Sequence, residues 1–200
     1  MVKPLIEKRS HSSALRIGMA AQVPHLIFIT DEARVRNPFE VCEQLPAGSI
    51  VICRDYDHAD RIGLAKNLRK VTRELQQFLL VAGDVVLARA VDADGLHLPE
   101  YMLGSPPNLA AFGLISAACH TRQALLRAEK LGVDFALVSP VFETESHPDE
   151  PYLGVHRFAR LIKGVKVPIA ALGGINVSNA GQLRPLTLMG IAAISAFVSG

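Results

Sequence analysis

Eight short β-rich runs recur along this 200-residue chain, with helical segments between them, and no other feature constrains the fold so strongly. They cover 25–30, 49–55, 78–83, 95–99, 114–120, 135–142, 168–174 and 190–198. Strands joined through helices run parallel, because each helix carries the chain back to the edge where the strand began. Eight such units favour closure into a (β/α)8 barrel over an open sheet. The connecting segments carry apolar residues at three- and four-residue spacing. Residues 121–131 place Ala124, Leu125, Ala128 and Leu131 on one side, and Arg122, Arg127 and Lys130 largely elsewhere. Gly132 then suits a C-terminal cap. Residues 152–165 behave alike and end near Gly164. Half of the residues are apolar and none is tryptophan, as suits strands buried on both faces under helices.

The length allows one substantial core and is short for two domains. No Gly-, Ser- or Pro-rich linker divides the chain. Pro106-Pro107 falls in a loop after a short fourth helix, and 146–151 is a polar loop after the sixth strand, on the face where barrel enzymes keep their chemistry. The expected fold is a single α/β TIM barrel over 25–200, lacking the eighth helix, with an N-terminal extension over 1–24. Residues 12–21 could form a helix covering the exposed strand, and the partner in a homodimer could do the same.

The net charge of +2 is too small to suggest nucleic acid, and no basic stripe is interleaved with aromatics. No apolar run approaches the ~20 residues of a membrane span. Lys3, Lys8, Arg9 and Arg16 are not followed by a signal-peptide core. Cys42, Cys53 and Cys119 are odd in number and widely spaced in apolar settings, so they read as reduced thiols of a cytoplasmic protein. Cys119 and His120 are adjacent on a strand and point to opposite faces, so they form no dyad.

Gly173-Gly174 follows a buried apolar run and precedes a helix-like start. Adjacent glycines let backbone N–H groups approach an anion at the positive end of a helix. A diglycine is equally a tight turn. Arg54 ends the second run, where a charge needs an anion or a carboxylate; Asp31 and Asp84 on flanking tips are candidate partners, and a ligand carboxylate or phosphate is the functional alternative.

Several segments, in order, resemble the thiamine phosphate synthase and thiazole tautomerase (TenI-like) superfamily over most of 26–196. Phe28-Ile29-Thr30-Asp31 is similar to its first-strand ending, and Ala93-Asp94-Gly95-Leu96-His97-Leu98 to its Ala-Asp-Gly-Val-His-Leu segment. Cys119-His120-Thr121 resembles Thr-His-Thr, and Ser139-Pro140-Val141-Phe142 resembles Gly-Pro-Val-Phe. Gly173-Gly174-Ile175-Asn176 and Ile194-Ser195-Ala196 resemble its two phosphate-cradling tips. The resemblance implies a small-molecule phosphate ligand, a thiazole phosphate, held at Gly173, Gly174, Ile194 and Ser195. It places Arg54, His97, Ser139 and Glu143 along the substrate and His120 as the acid/base group; His97 and His120 have structural hydrogen-bonding roles as their alternatives.

The synthase branch couples a pyrimidine pyrophosphate to the thiazole and needs magnesium. Its Gln-x-Arg-x-Lys pattern falls on Ile52-Cys53-Arg54-Asp55-Tyr56, which keeps only the arginine. Its Asn-Asp falls on Ala82-Gly83, with Asp84 one residue on. The second metal aspartate falls near Tyr101-Met102, the pyrophosphate serine on Ala118, and the lysine on His147. The tautomerase branch needs an anchored phosphate and a proton-transfer group without metal. The expected function is therefore a thiazole-phosphate barrel acting as a tautomerase without cofactor. The alternatives are a divergent synthase using Asp84 and Asp55 for magnesium, or a phosphate-binding pseudoenzyme.

Overall fold

The computed structural model describes residues 25–144 and 151–195. The elements run β1 (His25–Ile29), α1 (Pro38–Gln44), β2 (Ile50–Cys53), α2 (Arg61–Glu74), β3 (Phe78–Ala82), α3 (Val85–Ala90) and β4 (Gly95–Leu98). They continue through a 3₁₀ turn (Glu100–Gly104), β5 (Leu114–Cys119), α4 (Arg122–Leu131), β6 (Phe135–Val138), α5 (Gly154–Ile162), β7 (Ile169–Leu172), a second 3₁₀ turn (Ala180–Leu183) and β8 (Gly190–Ala193). All eight strands pair parallel in sequence order, and β1 closes on β8 with His25 opposite Gly190 and Phe28 opposite Ala193. The expected (β/α)8 barrel is the observed fold.

Alternation along each strand divides the core into two layers. Ile27, Ile52, Leu80, Phe135 and Leu137 fill the barrel interior. Phe28, Val51, Val81, Ile115 and Val138 face outward into a larger layer under the helices, where Leu68, Leu125 and Phe158 meet them. Cys42, Cys53 and Cys119 belong to this outer layer as free thiols, and burial pushes each up to about 12. Cys119 therefore sits behind the sheet while His120 lies at its tip.

Helix starts follow local chemistry. Asn37, Asp60, Asp84 and Thr121 each accept a backbone N–H of the first turn through the side chain, and Gly132 caps α4 in the left-handed region. Helix ends are held from neighbouring units: buried Gln77 donates to the carbonyls of Cys42 and Leu45, and Arg122 to those of Leu161 and Lys163.

Some boundaries differ from the sequence reading. The strands stop earlier, β6 at Val138 and β7 at Leu172, because the following residues turn outward to build the mouth. The short fourth helix is a 3₁₀ turn, since Pro106-Pro107 leaves no room for a longer one. The helix over 152–165 is confined to Gly154–Ile162. The expected helix over 12–21, residues 145–150 with His147, and residues 196–198 lie outside the described residues. Among the described residues, no helix is long and apolar enough to cross a membrane.

At the end of the barrel opposite the mouth, a carboxylate ties three elements together. Asp94, just before β4, accepts the Leu79 N–H of β3 at 2.8 Å and two bonds from Arg69 of α2 at 2.6 and 3.2 Å. Arg69 is only 13% exposed, so loss of its partner strands a charge and a strand N–H. Asp94→Ala is expected to lower unfolding stability by about 2–3 kcal/mol, from the worth of hydrogen bonds to charged groups. Urea denaturation measures it, and ligand affinity should stay unchanged, because this end of a barrel serves stability.

Candidate functional site

The strand tips at the C-terminal face carry the polar residues of the molecule's mouth. On β1 and β2, Arg54 Nη2 donates to Asp31 Oδ2 at 2.5 Å, and Arg34 Nε lies 3.4 Å from the same oxygen. Of the two carboxylates anticipated for Arg54, Asp31 is the partner. Thr30 links the same tips: its hydroxyl accepts the Arg54 N–H at 3.0 Å and donates to Asp55, whose other oxygen accepts the Glu32 N–H at 2.6 Å. Arg54 remains about one-third exposed.

The β3 tip holds Asp84, which is engaged twice. Its Oδ1 caps α3 by accepting the Leu87 N–H at 2.8 Å, and its Oδ2 lies 3.6 Å from Arg61 Nη1. Tyr56 lies under the Arg61 guanidinium, and its phenol is shifted up, by burial first and then by the Tyr101 phenol.

His120 is exposed at the β5 tip. Its Nδ1 lies 2.9 Å from the Ser139 carbonyl oxygen and 3.4 Å from Ser139 Oγ. A carbonyl only accepts, so Nδ1 carries a proton, and in the neutral ring the lone pair is on Nε2. Glu100 fixes the backbone beneath it: one oxygen accepts the His120 N–H at 2.6 Å, and the other lies 3.4 Å from the Thr121 hydroxyl. The structure thus brings His120 and Ser139 together.

The β6 and β7 tips interlock. Gly173 and Gly174 have φ of +97° and +65°, which L side chains rarely adopt. A Cβ on Gly173 would lie 2.8 Å from Pro140 Cα, and one on Gly174 would lie 2.1 Å from the Glu143 carbonyl oxygen. Phe142 N–H donates to Gly173 O at 3.0 Å, and Asn179 Nδ2 to Gly174 O at 2.7 Å. The diglycine is therefore a tight turn packed on the β6 loop. Glu143 meets it through its backbone, with the side chain exposed. On β8, Ile194 packs against the barrel interior and Ser195 is exposed at the tip.

His97 lies deeper than a ligand contact at the rim. It is 6% exposed inside the barrel, with Nδ1 2.8 Å from Ser116 Oγ on the adjacent strand. Burial, with Arg54 adding repulsion, lowers it from 6.5 to about 3. It is neutral in the folded protein at ordinary pH.

A magnesium ion of the synthase type keeps several waters and is held by one or two carboxylates together with the substrate's phosphates. Among the described residues no three His, Cys, Asp or Glu side chains converge, and Asp84 is committed to Arg61 and Leu87. A lone carboxylate that already faces Arg61 and caps a helix fits that ion poorly. Three contributors escaped the sequence reading. Glu100 had a signal, as a carboxylate just after the fourth strand. Arg61 and Tyr56 had none, because their importance comes from reaching across to another unit.

Comparison with known proteins follows this geometry. The family model for thiamine monophosphate synthase matches residues 26–197. The thiamine-phosphate synthase of Pyrococcus furiosus is 34% identical over 176 residues, covering 86% of this chain and 85% of that protein. The solved thiamine phosphate pyrophosphorylase from Pyrococcus furiosus superposes with a TM-score of 0.71 at 30% identity, covering 91% of this chain and 88% of that one. KDPG aldolase from Legionella pneumophila, at 15% identity and a TM-score of 0.59 over 90% of this chain and 86% of its own, shares the fold alone.

The buried neutral His97 makes stability pH-dependent in a definite direction. Its folded value lies below the unfolded one, so between about pH 6.5 and pH 3 the unfolded chain binds a proton that the folded chain refuses. Stability therefore falls as pH falls through that window. From pH 6.5 to pH 5 this site should cost roughly 2 kcal/mol, at about 1.4 kcal/mol per unit. Urea unfolding of wild type and His97→Gln across this range tests it; parallel pH dependences would exclude His97 as the source.

Proposed function

The chain belongs to the thiamine monophosphate synthase family, and we propose that its mouth binds a thiazole phosphate and isomerises it by proton transfer at His120, without a metal. The observation that carries this reading is the imidazole itself. With Nδ1 held by the Ser139 carbonyl, Nε2 of the neutral ring is the nitrogen left to act as a base, and after taking a proton it can return one as an acid. Aromatising a thiazole tautomer asks for no more: a proton leaves carbon and is delivered to a second site. Ser139 holds the ring, and Glu100 holds the strand tip that carries it.

The phosphate end is assigned to Gly173, Gly174, Ile194 and Ser195. The two positive φ values turn the backbone at the β7 tip, where barrels of this kind receive phosphate after strands seven and eight. The contact chain His120–Ser139–Pro140–Gly173 runs along adjacent tips, so base and cradle lie on one arc of the mouth. Arg54, about one-third exposed, is the cation available to a ligand carboxylate. Free, buried thiols fit a cytoplasmic setting.

A second reading is thiamine phosphate synthesis, and it is the one the relatives' names favour. It shares the thiazole-phosphate end and differs in needing pyrophosphate release.

Two measurements separate these readings. His120→Ala should lower isomerisation of the thiazole phosphate tautomer by roughly 10²–10⁴-fold, the usual worth of a general acid–base group. Its ligand affinity should hold, and chelator should leave wild-type turnover unchanged. Magnesium-dependent pyrophosphate release from a pyrimidine pyrophosphate plus thiazole phosphate would instead establish the synthase. At the phosphate end, Gly174→Ala should raise KM more than it lowers kcat, because the added Cβ pushes the β6 loop off the cradle.

A further inference from the structure

Arg61 opens α2, yet its side chain belongs to the tip of β3. Nη2 donates to the Ala82 carbonyl at 2.7 Å, Nη1 stands 3.6 Å from Asp84 Oδ2, and Cζ lies 5.1 Å from the centre of the Tyr56 ring. The side chain is 15% exposed, and among the described residues its buried Nε has no hydrogen-bond partner. A guanidinium does not shed its proton in a protein, so this is a fixed positive charge.

Four carboxylates at the neighbouring strand tips are engaged by named donors. Asp31 takes Arg54 and Arg34, and Asp55 takes Thr30 and the Glu32 N–H. Asp84 takes Arg61 and the Leu87 N–H, and Glu100 takes the His120 N–H. We propose that Arg61 is a resident cation standing where a divalent ion would need to sit at the β3 tip, so that this half of the mouth works without one.

The physical case is one of exclusion. A divalent ion at Asp84 must either approach the guanidinium against charge repulsion or expel it. Expulsion would leave the Ala82 carbonyl without its donor and strip the cation from the Tyr56 face. A magnesium ion also dehydrates reluctantly and gains little from a lone carboxylate whose second oxygen caps a helix. Arg61 is thus a specificity-determining residue: it favours ligands whose charge is met by Arg54 and by backbone at β7 and β8, and disfavours a metal-bound diphosphate. The inference deepens the metal-independent reading and rests on it for its meaning in turnover; its test needs no turnover.

Manganese relaxation in amide NMR spectra supplies that test, since the paramagnetic ion broadens signals near even a weak site. With substoichiometric Mn²⁺, the amides of Gly83, Asp84 and Val85 in the wild-type protein should keep their intensity. In Arg61→Met, and separately in Arg61→Gln, these amides should broaden, and adding Asp84→Asn should restore them. Broadening in the wild type that Asp84→Asn removes would overturn the proposal. So would intact signals in both folded Arg61 variants. The spectrum itself reports whether each variant is folded, and the wild-type arm stands alone. A failure of His120 chemistry would leave this result untouched, and failure here would leave the His120 result untouched.

Discussion

The ladder between β1 and β8 turns the sheet into a closed surface, and the placement of almost every functional group follows from that closure. Once no edge remains, each strand must alternate between a narrow interior and the helix layer, with no third direction available. Ile27, Ile52 and Leu80 then fill the interior, and Phe28, Val51 and Val81 meet the helices. Most polar groups are left with the two ends of the barrel and the helix layer. The interior exception is His97 with Ser116, which face each other across β4 and β5 and satisfy one another where water is excluded.

At the mouth, closure divides the tips into two arcs of different chemistry. Over β1 to β4, charge is met by charge: Arg54 with Asp31, Arg61 with Asp84, and carboxylates that accept backbone N–H groups. Over β5 to β7 the tips are joined by backbone contact, with Ser139 against His120 and Pro140 against Gly173. In the first arc Arg54 and Arg61 each face a carboxylate, and Asp55 and Glu100 are hydrogen-bonded to main-chain N–H groups. The second presents an imidazole lone pair beside a glycine turn, and that difference locates the proposed chemistry.

The architecture was legible because periodicity is a local property: eight β-rich runs and the apolar spacing of 121–131 are visible without knowing what packs on what. The tips were legible only in part. Ser139-Pro140 after Val138 and Gly173-Gly174 after Leu172 are turn formers that mark locally where pairing stops, but the apolar residues flanking them hide the exact end. The diglycine reading was open between turn and anion site, and the tight approach to Pro140 and Glu143 supplies the turn without closing the other role. Asp31 and Asp84 were equal candidates for Arg54 until the fold placed a second arginine beside Asp84. Arg61 could not be read from sequence, since at position 61 it looks like any basic residue opening a helix. Its polar partners, Ala82 and Asp84, lie more than twenty residues away.

Glu100 shows how the two arcs are kept from interfering. Its carboxylate lies at the boundary between them and binds the backbone of His120 in place of the ring. Had it paired with the imidazole, it would have favoured the imidazolium and removed the lone pair that accepts a proton. By taking the main-chain N–H it fixes the height of the β5 tip while leaving Nε2 free. The Ser139 carbonyl then fixes the tautomer, so one contact at the main chain and one at the ring orient the base. The same economy operates at Asp84, where a helix N–H takes one oxygen and Arg61 the other. A barrel mouth built in this way commits its carboxylates to holding the strand tips in place. A ligand of the proposed kind would then meet the Arg54 guanidinium, the His120 imidazole and the glycine turn.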